Sequence, residues 1–191
     1  MEIELIKKII IKSLDSLALN DDDIFKIKCP KLPNKNAQNK ATKIEKILNR
    51  ELHETTLNHR FAFYLETELL NESINCYKVD IEYNRNFGNS KSTIIESLDI
   101  PVRPDILIHK RMSKDSDRHL LIIEAKKGKS SQHDINKIIS LMTDDRYLYN
   151  FGLTVSYSSN ENYINGKLYY KGTANNILSE DLIIKRKNFR N

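Results

Sequence analysis

Three ionisable residues near the middle of the chain are spaced so that they could act together. The run LLIIEAKKGKSS at 120–131 is apolar up to Glu124. In an extended strand alternate side chains share a face, so Glu124 and Lys126 point one way and Ile123 and Ala125 the other. A second short apolar run at 105–109 precedes it, with the polar turn KRMSKDSDR between them, which is the pattern of a β-hairpin. Folding the two runs back about a centre between Lys114 and Asp115 sets Asp105 opposite Glu124. Like charges facing each other across a ladder cost up to ~1 kcal/mol, so the pair asks for a counter-charge.

A hard divalent cation would supply it. Mg²⁺ is typically held by one or two carboxylates together with water and substrate phosphate, and Asp105, Glu124 and the Ala125 carbonyl offer such oxygens. Lys126, beside that ion, would orient or help deprotonate an attacking water and offset charge on a phosphorane-like transition state. Taken singly these residues have plainer explanations. Glu124 and Lys126 make an ordinary surface ion pair worth ~0–1 kcal/mol, and Asp105 after Pro104 is a common turn residue. Their convergence favours the chemical reading.

The elements that must position them follow from periodicity. Ile3, Ile6, Ile10, Leu14 and Leu17, widened by Leu5 and Ile9, form the apolar stripe of an N-terminal helix that ends before Asn20-Asp21-Asp22-Asp23. Residues 28–42, KCPKLPNKNAQNKAT, have the composition of an exposed connector. A long helix is expected from residue 43 to about 70, with Ile44, Ile47, Leu48, Leu52, Leu57, Phe61, Tyr64, Leu65 and Leu69 on its buried side. Tyr77, Val79, Ile81 and Tyr83 alternate with polar residues as in a half-buried strand, and 86–101 has loop composition. Ser131 and Asp134 form a capping box for a helix running to about Tyr149, and 151–157 is a further strand. Asn165-Gly166 suggests a last tight hairpin. The order helix, strands, helix, strands indicates an α/β fold.

At this point the sequence resembles a known family. Pro104-Asp105 followed by Glu124-Ala125-Lys126 at the end of an apolar strand is similar to the signature of the PD-(D/E)xK nuclease superfamily. The likeness extends to a glutamate on the upstream helix, Glu54 in HETTLNHRFAFYLE, and to a helix starting near Ser131. It covers roughly residues 45–157. The resemblance implies a restriction-endonuclease-like α/β/α sandwich with a mixed central sheet, preceded here by a helical extension and basic connector over 1–42, with the nuclease-like domain at 43–191. It further implies Mg²⁺- or Mn²⁺-dependent hydrolysis of phosphodiester bonds, leaving a 3′-hydroxyl and a 5′-phosphate. Asp105, Glu124 and Glu54, with the Ala125 carbonyl, would hold the metal; Asp105, Glu124, Lys126 and Glu54 would be the catalytic set. Lys127, Lys129, Gln132 and Lys137 are the candidate nucleic-acid contacts, on DNA in preference to RNA. Defence against foreign DNA and repair are the expected settings.

Composition sets the limits of these readings. The 191 residues fit one domain, and 30% charged against 39% hydrophobic residues describe a globular chain with a heavily solvated surface. A net charge of +5 and a pI of about 9.0 suit an anionic polymer as partner. Cys29 and Cys76 are far apart, without zinc spacing, and fit a reducing cytoplasm. Charges scattered through 1–19 exclude a membrane-spanning helix there. In HETTL, Leu57 stands where a zinc protease needs its second histidine, so that chemistry is rejected. His109, His119 and His133 lack metal-ligand spacing, and neither a Gly-rich phosphate loop nor a GxSxG elbow occurs. Tyr147, Tyr149 and Tyr157 suit packing better than base stacking, and the tail at 185–190 is basic. Two other readings stand beside the nuclease: a catalytically inactive nucleic-acid-binding or assembly subunit of the same fold, and a partner-binding protein that forms a homodimer through its N-terminal helix.

Overall fold

The computed structural model describes residues 1–26, 54–86, 89–95, 98–113, 117–157, 162–173 and 176–186. The connector at 28–42, Cys29, the first part of the long helix at 43–53 and the tail at 187–190 lie outside the described residues. The chain forms α1 (Ile3–Asn20), a 3-10 turn (Asp22–Lys26), α2 (Glu54–Asn71), β1 (Lys78–Ile81), β2 (Arg85–Asn86), β3 (Asn89–Ser90), β4 (Ser92–Ile95), β5 (Leu98–Pro101), β6 (Ile106–His109), β7 (His119–Lys127), α3 (Gln132–Thr143), β8 (Phe151–Tyr157), β9 (Tyr163–Lys171) and β10 (Ile177–Lys185). Six strands make one mixed sheet in the order β1-β6-β7-β8-β9-β10. Only the β7–β8 pair is parallel, and α3 connects those two strands, as a parallel pair requires.

The two faces of the sheet bury different helices. Ile106, Ile108, Leu121, Ile123 and Ala125 join Ile6, Ile9, Ile10, Leu14 and Leu17 of α1 and Leu57, Phe61 and Leu65 of α2 in one apolar cluster. Leu107 and Ile122 face the other way, onto Ile138, Leu141 and Met142 of α3. β6 and β7 are therefore apolar on both faces, which is why 120–123 reads as a continuous apolar run. The stripe of α1 packs into this core, each buried Ile or Leu being worth about 1.5–3 kcal/mol. Arg186, only 1% exposed, ties the far end of the chain to the same region. Its Nη2 lies 2.8 Å from Asp22 Oδ1 and its guanidinium sits 4.2 Å above the Phe25 ring.

The central hairpin has the register expected of it. Ile106 faces Ile123, Leu107 faces Ile122 and Ile108 faces Leu121, and a bulge then brings His109 opposite His119. Ile106–Ile123 is the last paired rung; Asp105 follows just beyond it, its carboxylate bonded to the Ala125 N–H. The bulge lies at the other end of the hairpin and leaves these rungs undisturbed.

Three expectations are corrected. Asn165-Gly166 is not a turn but mid-strand in β9, where Gly166 faces Val155 on one side and Leu182 on the other; a strand paired on both edges has no freedom to reverse. The connection between β9 and β10 falls instead after Lys171. The segment 86–101 holds two small hairpins, β2–β3 and β4–β5, the second anchored on α3 by Thr93 Oγ1 and Ser140 Oγ at 2.7 Å and by Ser140 Oγ donating to the Ile94 carbonyl at 2.6 Å. Finally, α3 stops at Thr143 rather than near Tyr149. Asp144 Oδ1 accepts the Arg146 N–H at 2.9 Å, a local side-chain bond that competes with continued helix.

Candidate active site

β7 runs past the start of β6. Ile123 is the last β7 residue paired with it, so the N–H groups that point to that edge farther along, those of Ala125 and Lys127, have no strand to bond. Buried backbone donors seldom go unmet, and here two carboxylates meet them. Asp105 Oδ2 accepts from Ala125 N at 2.8 Å, and Glu54 Oε2, at the first residue of α2, accepts from Lys127 N at 2.9 Å. Both carboxylates thus hang on one strand edge two residues apart, each held by one oxygen. The Ala125 carbonyl leaves the strand on this same edge.

Glu124 has a different environment. It is 1% exposed, its Oε2 accepts from Lys137 Nζ at 2.7 Å, and its buried Oε1 has no hydrogen-bond partner. Burial is the largest cause pushing its carboxyl up to about 7, with Asp105 adding to the rise and Lys137 opposing it. Asp105 is also raised, by burial first and by Glu54 second among the groups that raise it, against the bond from Ala125 N. Lys126 extends from the Glu124 face with its side chain 38% exposed and Nζ 3.8 Å from Asp134 Oδ1. Burial lowers its pKa, but Asp134, Asp105, Glu54 and Glu124 outweigh this and raise it. Lys126 is therefore a permanent cation at neutral pH, suited to steadying an anion or a water and unsuited to taking a proton.

The helix after the strand supplies two partners whose roles the sequence left unread. Ser131 and Asp134 form the expected capping box: Ser131 N and Oγ donate to Asp134 Oδ2 at 2.9 and 2.7 Å. Asp134 is also 4% exposed and faces Lys126. Lys137, proposed from the sequence as a nucleic-acid contact, has its ammonium on Glu124 and a side chain 14% exposed. The signal lay in the spacing. Asp134 and Lys137 continue the stripe of Ile138 and Leu141 that packs on the sheet, so their charges had to meet charges on β7. Of the other candidate contacts, Lys129 and Gln132 are exposed beside this end of β7, with Gln132 Nε2 donating to Asn136 Oδ1, and Lys127 is half-buried. Gly128, with φ +96° and nothing near an added Cβ, turns the chain out of the strand.

A metal here was tested on the donor set. Among the described residues no three or more His, Cys, Asp or Glu converge as a ready-made metal cage. Mg²⁺ needs fewer protein ligands than that, and a carboxylate with one orphaned buried oxygen next to a second carboxylate has the chemistry of such a site. Asp105, Glu124 and the Ala125 carbonyl fit it, with Glu54 next to them on the same edge. Tyr157 lies beneath, its hydroxyl donating to Asn58 Oδ1 at 3.2 Å. Tyr147, Tyr149 and Tyr157 are all buried and serve packing. Among the described residues no helix is long and apolar enough to cross a membrane. No protein-family model matches the chain, and no curated protein matches it in sequence.

Proposed function

We propose that the chain is a metal-dependent nuclease of restriction-endonuclease-like fold, hydrolysing phosphodiester bonds in DNA. The observation that carries this reading is the meeting of two carboxyls at the open end of the β6–β7 hairpin, Asp105 held by Ala125 N and Glu124 close enough to feel its charge, with a buried carboxylate oxygen on Glu124 that has no partner among the described residues and a cationic Lys126 two residues along the strand. Asp105, Glu124 and the Ala125 carbonyl would hold Mg²⁺ or Mn²⁺, which when bound polarises a phosphoryl oxygen and acidifies a coordinated water. Lys126 would hold the attacking water and offset negative charge gained at phosphorus. Asp134 aims Lys126, and Glu54 fixes the strand edge through the Lys127 N–H. Lys129 and Gln132 would meet the nucleic-acid backbone, with binding that weakens steeply as salt rises.

One observation favours the catalytically inactive binding subunit instead: the Lys137 ammonium already neutralises Glu124. Cleavage of plasmid and single-stranded DNA with Mg²⁺ or Mn²⁺, against EDTA, separates the two. The nuclease reading expects metal-dependent cutting that falls by about 10²-fold or more in Asp105→Asn, Glu124→Gln and Lys126→Met. Full activity in all three variants would end it. Binding without cutting under any metal would leave the inactive subunit.

A further inference from the structure

A second polar pocket lies at the opposite end of the same hairpin. It is bounded by Tyr83, Arg85, His109, Lys110, Arg118 and His119 and is open to solvent, with a volume of about 260 Å³. From His119 to Glu124 along β7 is about 16–17 Å at ~3.3 Å per residue, so the pocket is separate from the carboxylates. No Asp or Glu lines it. Its charged groups are all cationic and come from three places: β2, the residue after β6 and the residue before β7.

The wall of this pocket is built rather than incidental. His119 is 4% exposed and packs edge-on to Tyr147 and tilted against Tyr149 at 4.7 Å. Its Nε2 accepts from Arg118 Nε at 3.0 Å, so the neutral ring carries its proton on Nδ1. That Nδ1 is buried and has no partner among the described residues. Burial, with Lys91, Arg118 and His109 nearby, holds the imidazole down to about 3, so at ordinary pH it stays neutral and Nδ1–H remains a donor. Behind it Lys91 is 1% exposed, donates to the Tyr149 hydroxyl at 3.0 Å, and lies over the Tyr83 and Tyr149 rings. No carboxylate is paired with it among the described residues, although burial depresses it to about 8. Two carboxylates outside the lining pair with residues of the wall: Asp80 binds His109 as well as Arg111, and Asp117 accepts from Lys110 as well as Tyr77.

We propose that this pocket binds one phosphate group, with His119 as the inner donor and Arg85 and Arg118 gripping the outer oxygens at the mouth. Two guanidinium groups from two elements, Arg118 held by His119 Nε2 and the Arg146 carbonyl and Arg85 by Ser90 Oγ, match the several oxygens of a phosphate better than a halide or a lone carboxylate. The group can belong to a nucleic-acid strand or be free. The site does not depend on whether the carboxylates cut.

The test is equilibrium binding to the full chain in EDTA, so that failure of cleavage and failure of this site are read apart. Imidazole ¹⁵N signals of His119 are followed by NMR while inorganic phosphate is added, then an oligonucleotide with a 5′-phosphate, then the same oligonucleotide with a 5′-hydroxyl. A saturable shift at His119 with a Kd of about 1 mM or tighter, weakened about tenfold in Arg85→Gln and in Arg118→Gln, is expected. A shift with inorganic phosphate and the 5′-phosphate strand alone assigns a terminal or free phosphate; a shift with both strands assigns the backbone. Arg85 is exposed on β2, so Arg85→Gln reads the effect even if Arg118→Gln fails to fold. No shift with any probe, or a shift that Arg85→Gln leaves unchanged, overturns the proposal.

Discussion

Glu124→Gln should make the protein more stable at alkaline pH while removing the metal-dependent cleavage proposed for it. Burial holds the Glu124 carboxyl near 7 against an ordinary value of 4.5. A carboxyl raised by folding lends stability that is complete below pH 4.5 and lost as pH climbs through 7. The 2.5-unit difference corresponds to about 3 kcal/mol at 1.36 kcal/mol per unit. Glutamine imitates the protonated acid and keeps an oxygen for the Lys137 ammonium, and the pull of Lys137 is already contained in the value of about 7. At pH 8.5 the variant should therefore gain about 3 kcal/mol, or about 6–12 °C in Tm for a chain of this size, and at pH 4 it should gain almost nothing. Urea unfolding of both proteins at the two pH values measures this. Mg²⁺ should raise the Tm of the parent at pH 8.5 and leave the variant unmoved, because a ligand stabilises only the form that binds it. A variant less stable than its parent at pH 8.5, or a gap that does not change with pH, would refute the reasoning.

Gly152→Ala would put a Cβ 2.2 Å from Ile138 Cγ2 and 2.9 Å from Met142 Sδ; the branched Ile138 cannot swing aside, so a loss of about 1–3 kcal/mol is expected by denaturant unfolding, relieved by Ile138→Ala in the same chain. Arg186→Met removes the guanidinium from buried Asp22 and should cost about 3–5 kcal/mol, with much of it recovered when Asp22→Asn is added; equal losses in the single and double variants would show that the pair is not the cause. Lys91 is depressed from 10.5 to about 8 by burial, so it costs stability below pH 8 and nothing above pH 10.5. Lys91→Met should therefore stabilise by up to about 3 kcal/mol at pH 7, less the lost bond to Tyr149, and the gain should vanish in unfolding experiments near pH 10.5.

What could be read from the sequence was whatever depends on local period. The hairpin register followed from equal distances about one turn centre, and the bulge at His109 did no harm because it fell beyond the apolar rungs. The stripe of α1 and the Ser131–Asp134 cap were likewise local. What escaped needed knowledge of neighbours. Asn165-Gly166 is a strong turn signal in isolation, and only the presence of β8 and β10 on both sides of β9 holds it straight. Lys137 reads in the sequence as a nucleic-acid contact, and only when α3 is laid on the sheet does its ammonium meet Glu124. The pocket at His119 was not legible at all, since its cations come from β2 and from both arms of the hairpin, and a buried imidazole nitrogen gives no sign in one dimension.

The earliest and latest described parts of the chain complete one another. Ile6, Ile10 and Leu14 share their cluster with Ile164, Leu168, Leu182 and Ile184, and Arg186 reaches Asp22. During synthesis at about 5–20 residues per second, the helix made first has to wait roughly ten to thirty seconds for the strands that cover it. Ribosome-bound chains halted before residue 163 should be digested rapidly by added protease where chains that include residues 163–186 resist, so that β9 and β10 set the moment at which the first helix becomes protected.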